Sequence, residues 1–496
     1  MKGLQRNSVW IGLTVSLYFC APAMHISAAP EAPRAARDGI KLSFAKYSKI
    51  SERRLETMRL TRDGKFDAVE AVLAPLQAAF ERKEVDEFAV ATAFAPFSTS
   101  DESLAPVLDR WVAQVPNSYC AHLARARYLR QRFYRFRTVE SMHSEMAIGA
   151  DRLREIAERS IADYRAALAK SPRLMIAYGD LVEMAAATRN DALFRETVET
   201  GLKALPETWV VRDAMVRVGA IPEAQFEAFL ADAARYEKQN PLLLQLASDV
   251  ALEAGREMWR KGQIEPALAL YEAQAKTLDT FQIHKERARL LRVLRRYPEA
   301  SAAIDHAIAL LPGKYDGYRE RGWLDVDTER WPEAVADFRR GLALDPLEPE
   351  LNRGLGAALE GAGDPIGALA AYEQSARWLP SAEVFQKIGW LQLHEAKNAK
   401  ASLAAMERAV ALDPRDKWNW YKQAEALDAL GDPRATASFA HYLELADPRS
   451  EEDREYIAYA KQRTRSGAAP SAPSAKRGES LPASKYIPPP PAVAQH

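Results

Sequence analysis

Two consecutive stretches decide the fold: GKYDGYRERGWLDVDTERWPEAVADFRRGLALDP, Gly313 to Pro346, and LEPELNRGLGAALEGAGDPIGALAAYEQSARWLP, Leu347 to Pro380. Each closes on a proline, and the same proline recurs at one unchanging interval, at Pro312, Pro346, Pro380, Pro414 and Pro448. The interval is that of a helix-turn-helix unit, about 34 residues, and proline at its end cannot continue a helix. With the proline counted as position 32, position 20 reads Ala300, Ala334, Ala368, Ser402 and Thr436, small side chains that let two helices approach closely. Position 8 reads Ala288, Gly322, Gly356, Trp390 and Ala424, with Gly389 one place early in the exceptional unit. Position 24 carries a packing knob in Ile304, Phe338, Tyr372 and Met406, and in the last unit the aromatic slides to Phe439.

Between the two helices of a unit stand Tyr297-Pro298, Trp331-Pro332, Asp364-Pro365 and Asp432-Pro433. Proline fits the first turn of a helix, where no amide donor is needed. The Leu344 to Pro346, Leu412 to Pro414 and Ala446 to Pro448 tripeptides end second helices. The pattern resembles the tetratricopeptide repeat (TPR) at most signature positions, the first-helix tryptophan being the clearest absence. The resemblance implies an all-α chain, a right-handed superhelical solenoid of helical hairpins.

The rhythm continues upstream in weaker form through Pro172, Pro206 and Pro241, and Gly255, Ala267 and Tyr271 sketch another unit. The solenoid is expected to start near residue 140, with an insertion around Arg137 to Asp151 between two long helices. Before it, apolar residues spaced by three and four after Ser51, and Pro106 opening a helix toward Trp111, predict a helical N-terminal module. FDAVEAVLAPLQAAFERKEVDE, Phe66 to Glu87, and LDRWVAQVPNSYCAHLARARYL, Leu108 to Leu129, resemble the bacterial family called domain of unknown function 4034. The resemblance covers Glu52 to Leu205 and implies a helical module with no assigned reaction. The arginine-rich stretch after Tyr128 departs from the glycine-containing turn expected there.

The 496 residues carry 68 Lys and Arg against 68 Asp and Glu, so formal net charge is zero, which argues against a nucleic-acid-seeking surface. Lys2 and Arg6 precede an apolar run from Val9 to Phe19, with small-residue cleavage candidates at Ala21 to Ala23 and Ser27 to Ala29. This predicts an exported, periplasmic or secreted protein, an uncleaved membrane anchor being the alternative. Phe19 before Cys20 argues against lipidation. Only Cys120 lies beyond that segment, so a processed chain has no intrachain disulfide. The expected organisation is a targeting segment 1–29, a linker 30–50, the module 51–205, degenerate hairpins 206–280, five clean repeats 281–450 and a disordered Pro/Ala/Ser tail 465–496.

Catalytic templates fail at their first requirement: there is no phosphate loop, no GxSxG elbow and no HExxH. The eight histidines lack metal-ligand spacing, so no metal and no cofactor is expected. Glu253 and Glu257 share a helix face that is read as solvated. First helices of such units line the concave surface, and position 5 reads Lys285, Arg319, Arg353, Lys387 and Tyr421. With Arg289, Arg292, Trp323 and Trp418 this ladder suits a carboxylate-rich or an extended peptide. The competing reading is a helix face neutralised by Asp316, Glu320, Glu350 and Glu360. The chaperone-tail clamp is not supported, because Glu286, Glu320 and Gly354 stand where it needs asparagines.

Arg125 to Arg137 interleaves six arginines with Tyr128, Phe133, Tyr134 and Phe136. Either it meets an anionic partner, or Glu140, Glu145, Asp151, Glu155 and Glu158 pair with it while the aromatics enter the core. The function expected is a non-enzymatic interaction scaffold for a peptide or protein of the envelope. An activity hidden in the N-terminal module and a purely architectural spacer are the alternatives.

Overall fold

The structure is a computed structural model that describes residues 53–99, 101–142, 150–276, 279–451 and 453–466; the targeting segment, linker and tail lie outside them. Among these residues there is helix and no strand, and no helix is long and apolar enough to cross a membrane. The N-terminal module begins with α1 (53–62), α2 (Phe66–Glu81), α3 (Glu87–Phe94) and α4 (Ala105–Gln114). Antiparallel pairing then starts with α5 (Tyr119–Met142) against α6 (Ala150–Lys170), earlier than residue 140. The arginine-rich stretch after Tyr128 is uninterrupted helix, and of the expected insertion residues 143–149 lie outside the described ones.

Helical pairs follow one another from there: α7 (Met175–Ala187) with α8 (Asp191–Ala204), the short α9 (Trp209–Arg217) and α10 (Phe226–Ala234), then α11 (Leu246–Arg260) with α12 (Ile264–Ala275). The clean repeats supply α13 (Phe281–Val293) with α14 (Tyr297–Leu310), α15 (Tyr315–Asp327) with α16 (Trp331–Leu344), and α17 (Pro349–Gly361) with α18 (Pro365–Trp378). The last two hairpins are α19 (Ala382–His394) with α20 (Ala399–Leu412), and α21 (Lys417–Ala429) with α22 (Ala435–Leu445). From α11 onward each second helix packs on the first helix of the next hairpin, so the core is continuous along the stack, as the period requires.

The small positions do what their size predicts. A Cβ on Gly322 would stand 2.9 Å from the Phe338 ring, and one on Gly356 would stand 2.7 Å from Tyr372. In the exceptional unit Gly389, not Trp390, faces the Met406 knob, which locates the one-residue shift. The last unit is shifted too. Ala435 is buried where Thr436 was expected, and α22 starts after Pro433 rather than around it, because Asp432 accepts from the Arg434 amide and holds the proline in the turn.

Every clean hairpin turns through a left-handed residue, at Arg295, Glu329, Gly363, Lys397 and Gly431, with φ of 59, 58, 79, 55 and 67°. These five keep the interval of the prolines, yet only two are glycine. For an L side chain this conformation costs about 1–2 kcal/mol, part of which a glycine loses again to unfolded-chain entropy. Glu329→Gly is therefore expected to raise stability by roughly 0.5–1 kcal/mol and Gly363→Ala to lower it by about 1 kcal/mol, read from urea midpoints.

Beyond the repeats the sequence reading assigned nothing until the tail, but α23 (Asp453–Ser466) closes the stack. Ile457 and Ala460 are buried against α22, and Lys417 Nζ holds the fully buried Asp453 at 2.6 and 2.7 Å. Such an end helix shields the apolar face a terminal repeat would otherwise expose.

Candidate functional site

First helices of successive hairpins touch one another, α11 with α13, α13 with α15, α15 with α17 and α19 with α21, and the predicted ladder lies on these helices as an interlocked ionic lattice. Glu286, 1% exposed, takes Arg289 at 2.9 Å, Arg256 of the preceding hairpin at 3.2 Å and Lys285 at 3.5 Å. Arg289 also reaches Glu320 of the next hairpin at 3.5 Å, and Glu320 takes Arg319 at 3.0 Å. Arg292 pairs with Asp327 at 2.7 Å, Arg353 with Glu350 at 2.6 Å and Glu383 at 3.2 Å, and Lys387 with Glu360 at 3.1 Å. Burial opposes the charge on Glu286, yet Arg289, Lys285 and Arg256 together hold its carboxyl far below the usual range.

The aromatic members are packed inward as well. Trp323 stacks edge-on against Phe338 at 5.4 Å and receives the Arg353 guanidinium at 4.9 Å. Trp418 and Tyr421 belong to an aromatic cluster with Tyr442 and Tyr456. The structure thus places the nine predicted residues on first helices and commits their charge and rings partly within their own hairpins and partly to neighbouring ones. The lattice extends upstream beyond the expected ladder: Arg130 bonds Glu183, Glu183 bonds Arg217, and Arg217 holds Asp213 at 2.8 Å.

Three of the six arginines of this helix, Arg125, Arg127 and Arg130, enter the same network, through acids that the sequence reading did not name; of the anticipated partners Glu145 lies outside the described residues. Arg125 pairs with Asp163 at 2.7 Å and with Asp109 at 3.0 Å, while Arg127 and Arg130 each stand 3.4 Å from Asp180. Tyr128 and Phe133 are buried. The helix turns its arginines across to α7 as well as to α6, so acids close in sequence are not the nearest in space. Glu253 is likewise not solvated; it is mostly buried beside Arg256 and Arg260.

The chain then closes on itself. Arg54 of α1 makes a buried ion pair with Asp345, Thr99 Oγ1 donates to the Trp378 carbonyl at 3.1 Å, and the Arg62 guanidinium covers the Trp378 ring at 4.6 Å. Leu347, in the turn before α17, is buried within the apolar core of the N-terminal module. Between the two parts lies a cavity of about 480 Å³, in the size range of ligand sites, bounded by α3 and its following turn, by α5 and by the turns that open α15, α17 and α19. Its walls combine Phe88, Tyr315, Leu347 and Trp378 with Arg54, Arg127, Lys314, Asp345 and Glu348. Burial lowers Lys314 to about 8 and raises the carboxyls of Asp345 and Glu348. Arg54 and Ser98 both line this wall, but Arg54 Nε and Ser98 Oγ are buried behind it and find no hydrogen-bond partner among the described residues.

Sequence reasoning missed this site because its two halves are remote in the chain, Arg54 and Asp345 being separated by 291 positions. A second set of contacts joins segments remote in the chain. Glu87, at the start of α3, accepts from Val210 N at 2.7 Å, Asn240 Nδ2 at 2.8 Å, Trp209 N at 3.1 Å and Thr208 Oγ1 at 3.1 Å, so α9 is tied to the module past Leu205. Burial pushes its carboxyl up to about 7 against donors that favour the ionised form. The histidines are not all apart in space either: His284 and His306 meet at Asp279, because the turn between α13 and α14 folds one helix back along the other.

The family model described as "Domain of unknown function (DUF4034)" matches residues 54–224. The Hsp70-Hsp90 organizing protein of Triticum aestivum is 32% identical over 120 residues, 24% of this chain, and the chain spans only 18% of that relative's length. Among solved structures, TTC0263, a TPR protein of Thermus thermophilus, is 20% identical, covers 36% of this chain with 97% of its own, and has a TM-score of 0.32. Yeast Tom70 is 16% identical, covers 87% of this chain with 98% of its own, and has a TM-score of 0.38. Residues 54–224 thus match the DUF4034 family model, and the repeats that follow are helical hairpins of TPR type.

Proposed function

We propose that the protein is a non-catalytic interaction scaffold, and that a segment of a protein partner docks in the cavity closed between the N-terminal module and the inner edge of the repeats. The carrying observation is the cavity itself, of ligand size, with aromatic and mixed-charge sides supplied by segments remote in the chain. Its mixed-charge wall offers polar partners to the main chain of an inserted segment. Phe88, Tyr315 and Trp378 would cover an apolar side chain beside it.

The ladder serves this reading by holding the hairpins at fixed spacing, and the mixed charges of the cavity suit a segment carrying both signs rather than a purely acidic one. The wheat relative is named as an organiser of two chaperones, an assembly role of the same kind. Export to the periplasm, on the strength of residues 1–29, belongs to the proposal as well.

Ala91 lines the cavity, and Ala91→Trp fills it. A photo-crosslinking residue at Phe88 should trap one partner segment from envelope extract, and Ala91→Trp should abolish that adduct while the melting temperature stays within about 2–3 degrees. A partner retained by Ala91→Trp would favour the spacer reading instead.

A further inference from the structure

We infer that Asp279, His284 and His306 form a binding site for a divalent transition ion of the zinc class. Their ligand atoms all lie within 4.8 Å of one another. The convergence is on a single atom: His284 Nε2 stands 3.0 Å and His306 Nε2 2.7 Å from Asp279 Oδ1, with the two rings edge-on at 4.3 Å between centroids. Two imidazole nitrogens and one carboxylate are a ligand set for zinc, which binds such groups at about 2.0–2.2 Å. In a tetrahedron of that size neighbouring ligands stand about 3.3 Å apart, so the contacts to Asp279 open by roughly 0.3 and 0.6 Å while the two imidazole nitrogens, which lie within 4.8 Å of each other, close toward the same separation.

The fold supplies the three ligands from three fixed places. Asp279 directly precedes Thr280, the residue whose side chain caps α13. His284 sits on the first turn of that helix, 6% exposed, and His306 reaches over from the outer helix α14. Asp279 and His306 are each partly open to solvent, which leaves room for water as a fourth ligand and a path for the ion. In the hydrogen-bonded arrangement both rings donate Nε2–H to the one carboxylate oxygen. On coordination each Nε2 gives its lone pair to the metal and the ring proton sits on Nδ1, so no net proton leaves the imidazoles.

His284 Nδ1 is buried and has no hydrogen-bond partner among the described residues. Outer-shell acceptors of this kind are worth about 10–100-fold in metal affinity, so the site is weaker by that factor than one with a buttressed histidine. The bound ion would staple the segment that enters α13 to α14, and so set the junction between the degenerate hairpins and the clean array.

The test uses the full chain without an affinity tag, stripped by chelator and titrated with Zn2+ in calorimetry and with Co2+ in visible absorption. One Zn2+ per chain is expected, with the intense absorption of tetrahedral Co2+. His306→Ala, at a half-exposed position, and Asp279→Asn should each weaken binding at least tenfold with unchanged circular dichroism, whereas His441→Ala should not change it. Wild-type binding equal to that of His306→Ala, a pale octahedral Co2+ spectrum, or no saturable uptake would overturn the assignment.

Discussion

Glu286→Ala is expected to destabilise the middle of the array by about 3–5 kcal/mol, the cost of removing one partner from a buried ion pair. Three cations, Arg256, Lys285 and Arg289, lose their common acceptor. Arg256 keeps Glu253 at 3.6 Å and Arg289 keeps Glu320 at 3.5 Å, which places the effect at the lower end of that range. Because stacked hairpins open locally, the loss should be read residue by residue: amide exchange at least a hundredfold faster in α11, α13 and α15, and little changed in α21 and α23.

The same substitution alters the acid limb. The folded-state value for Glu286 is depressed below its unfolded value, so its contribution is fully present above about pH 4–5 and is lost as pH falls through the folded value. Wild type should therefore lose stability on acidification more steeply than Glu286→Ala. Equal losses of urea-derived stability for the two proteins between pH 7 and about pH 3 would show that Glu286 carries no such linkage.

How much of this was legible in the chain depends on what repeats and what does not. The evenly recurring proline, and small residues facing knobs, dictate hairpin stacking directly, since both act through sterics within one unit. The left-handed turn residue has the same period but is Arg, Glu or Lys in three of five units, so its conformation left no mark in residue type. The cations of the ladder were visible as a column. Their burial was not, because it depends on Glu286 and Glu320 each reaching back to a cation of the preceding hairpin, and position 6 read alone says only that an acid is near. Contacts between distant segments carried least signal. Nothing in Arg54, Thr99 or Trp378 as residue types announces that the module folds back onto the array, and His284 and His306 looked scattered until the hairpin put them side by side.

That closure gives the second large effect. Leu347 is 6% exposed and lies in the module's core although it belongs to the repeat array, one residue after Pro346. Leu347→Asp removes that apolar burial, worth about 1.5–3 kcal/mol, and sets a carboxylate into an apolar wall two residues from Asp345. The ion pair from Arg54 to Asp345 then has a competing acid beside it, and the Thr99 and Arg62 contacts to Trp378 are too few to hold the interface alone. The repeats do not depend on this contact for their own stacking, since each hairpin buries its face against its neighbours. The expected result is a chain that opens without unfolding: helical circular dichroism retained, a larger radius of gyration in small-angle scattering, and protease cleavage appearing between α1 and α4. The cavity exists only while the two parts meet, so the crosslinked partner adduct at Phe88 should disappear with the opening. A variant that stays compact and keeps the adduct would mean that the module is held to the array by something other than this seam.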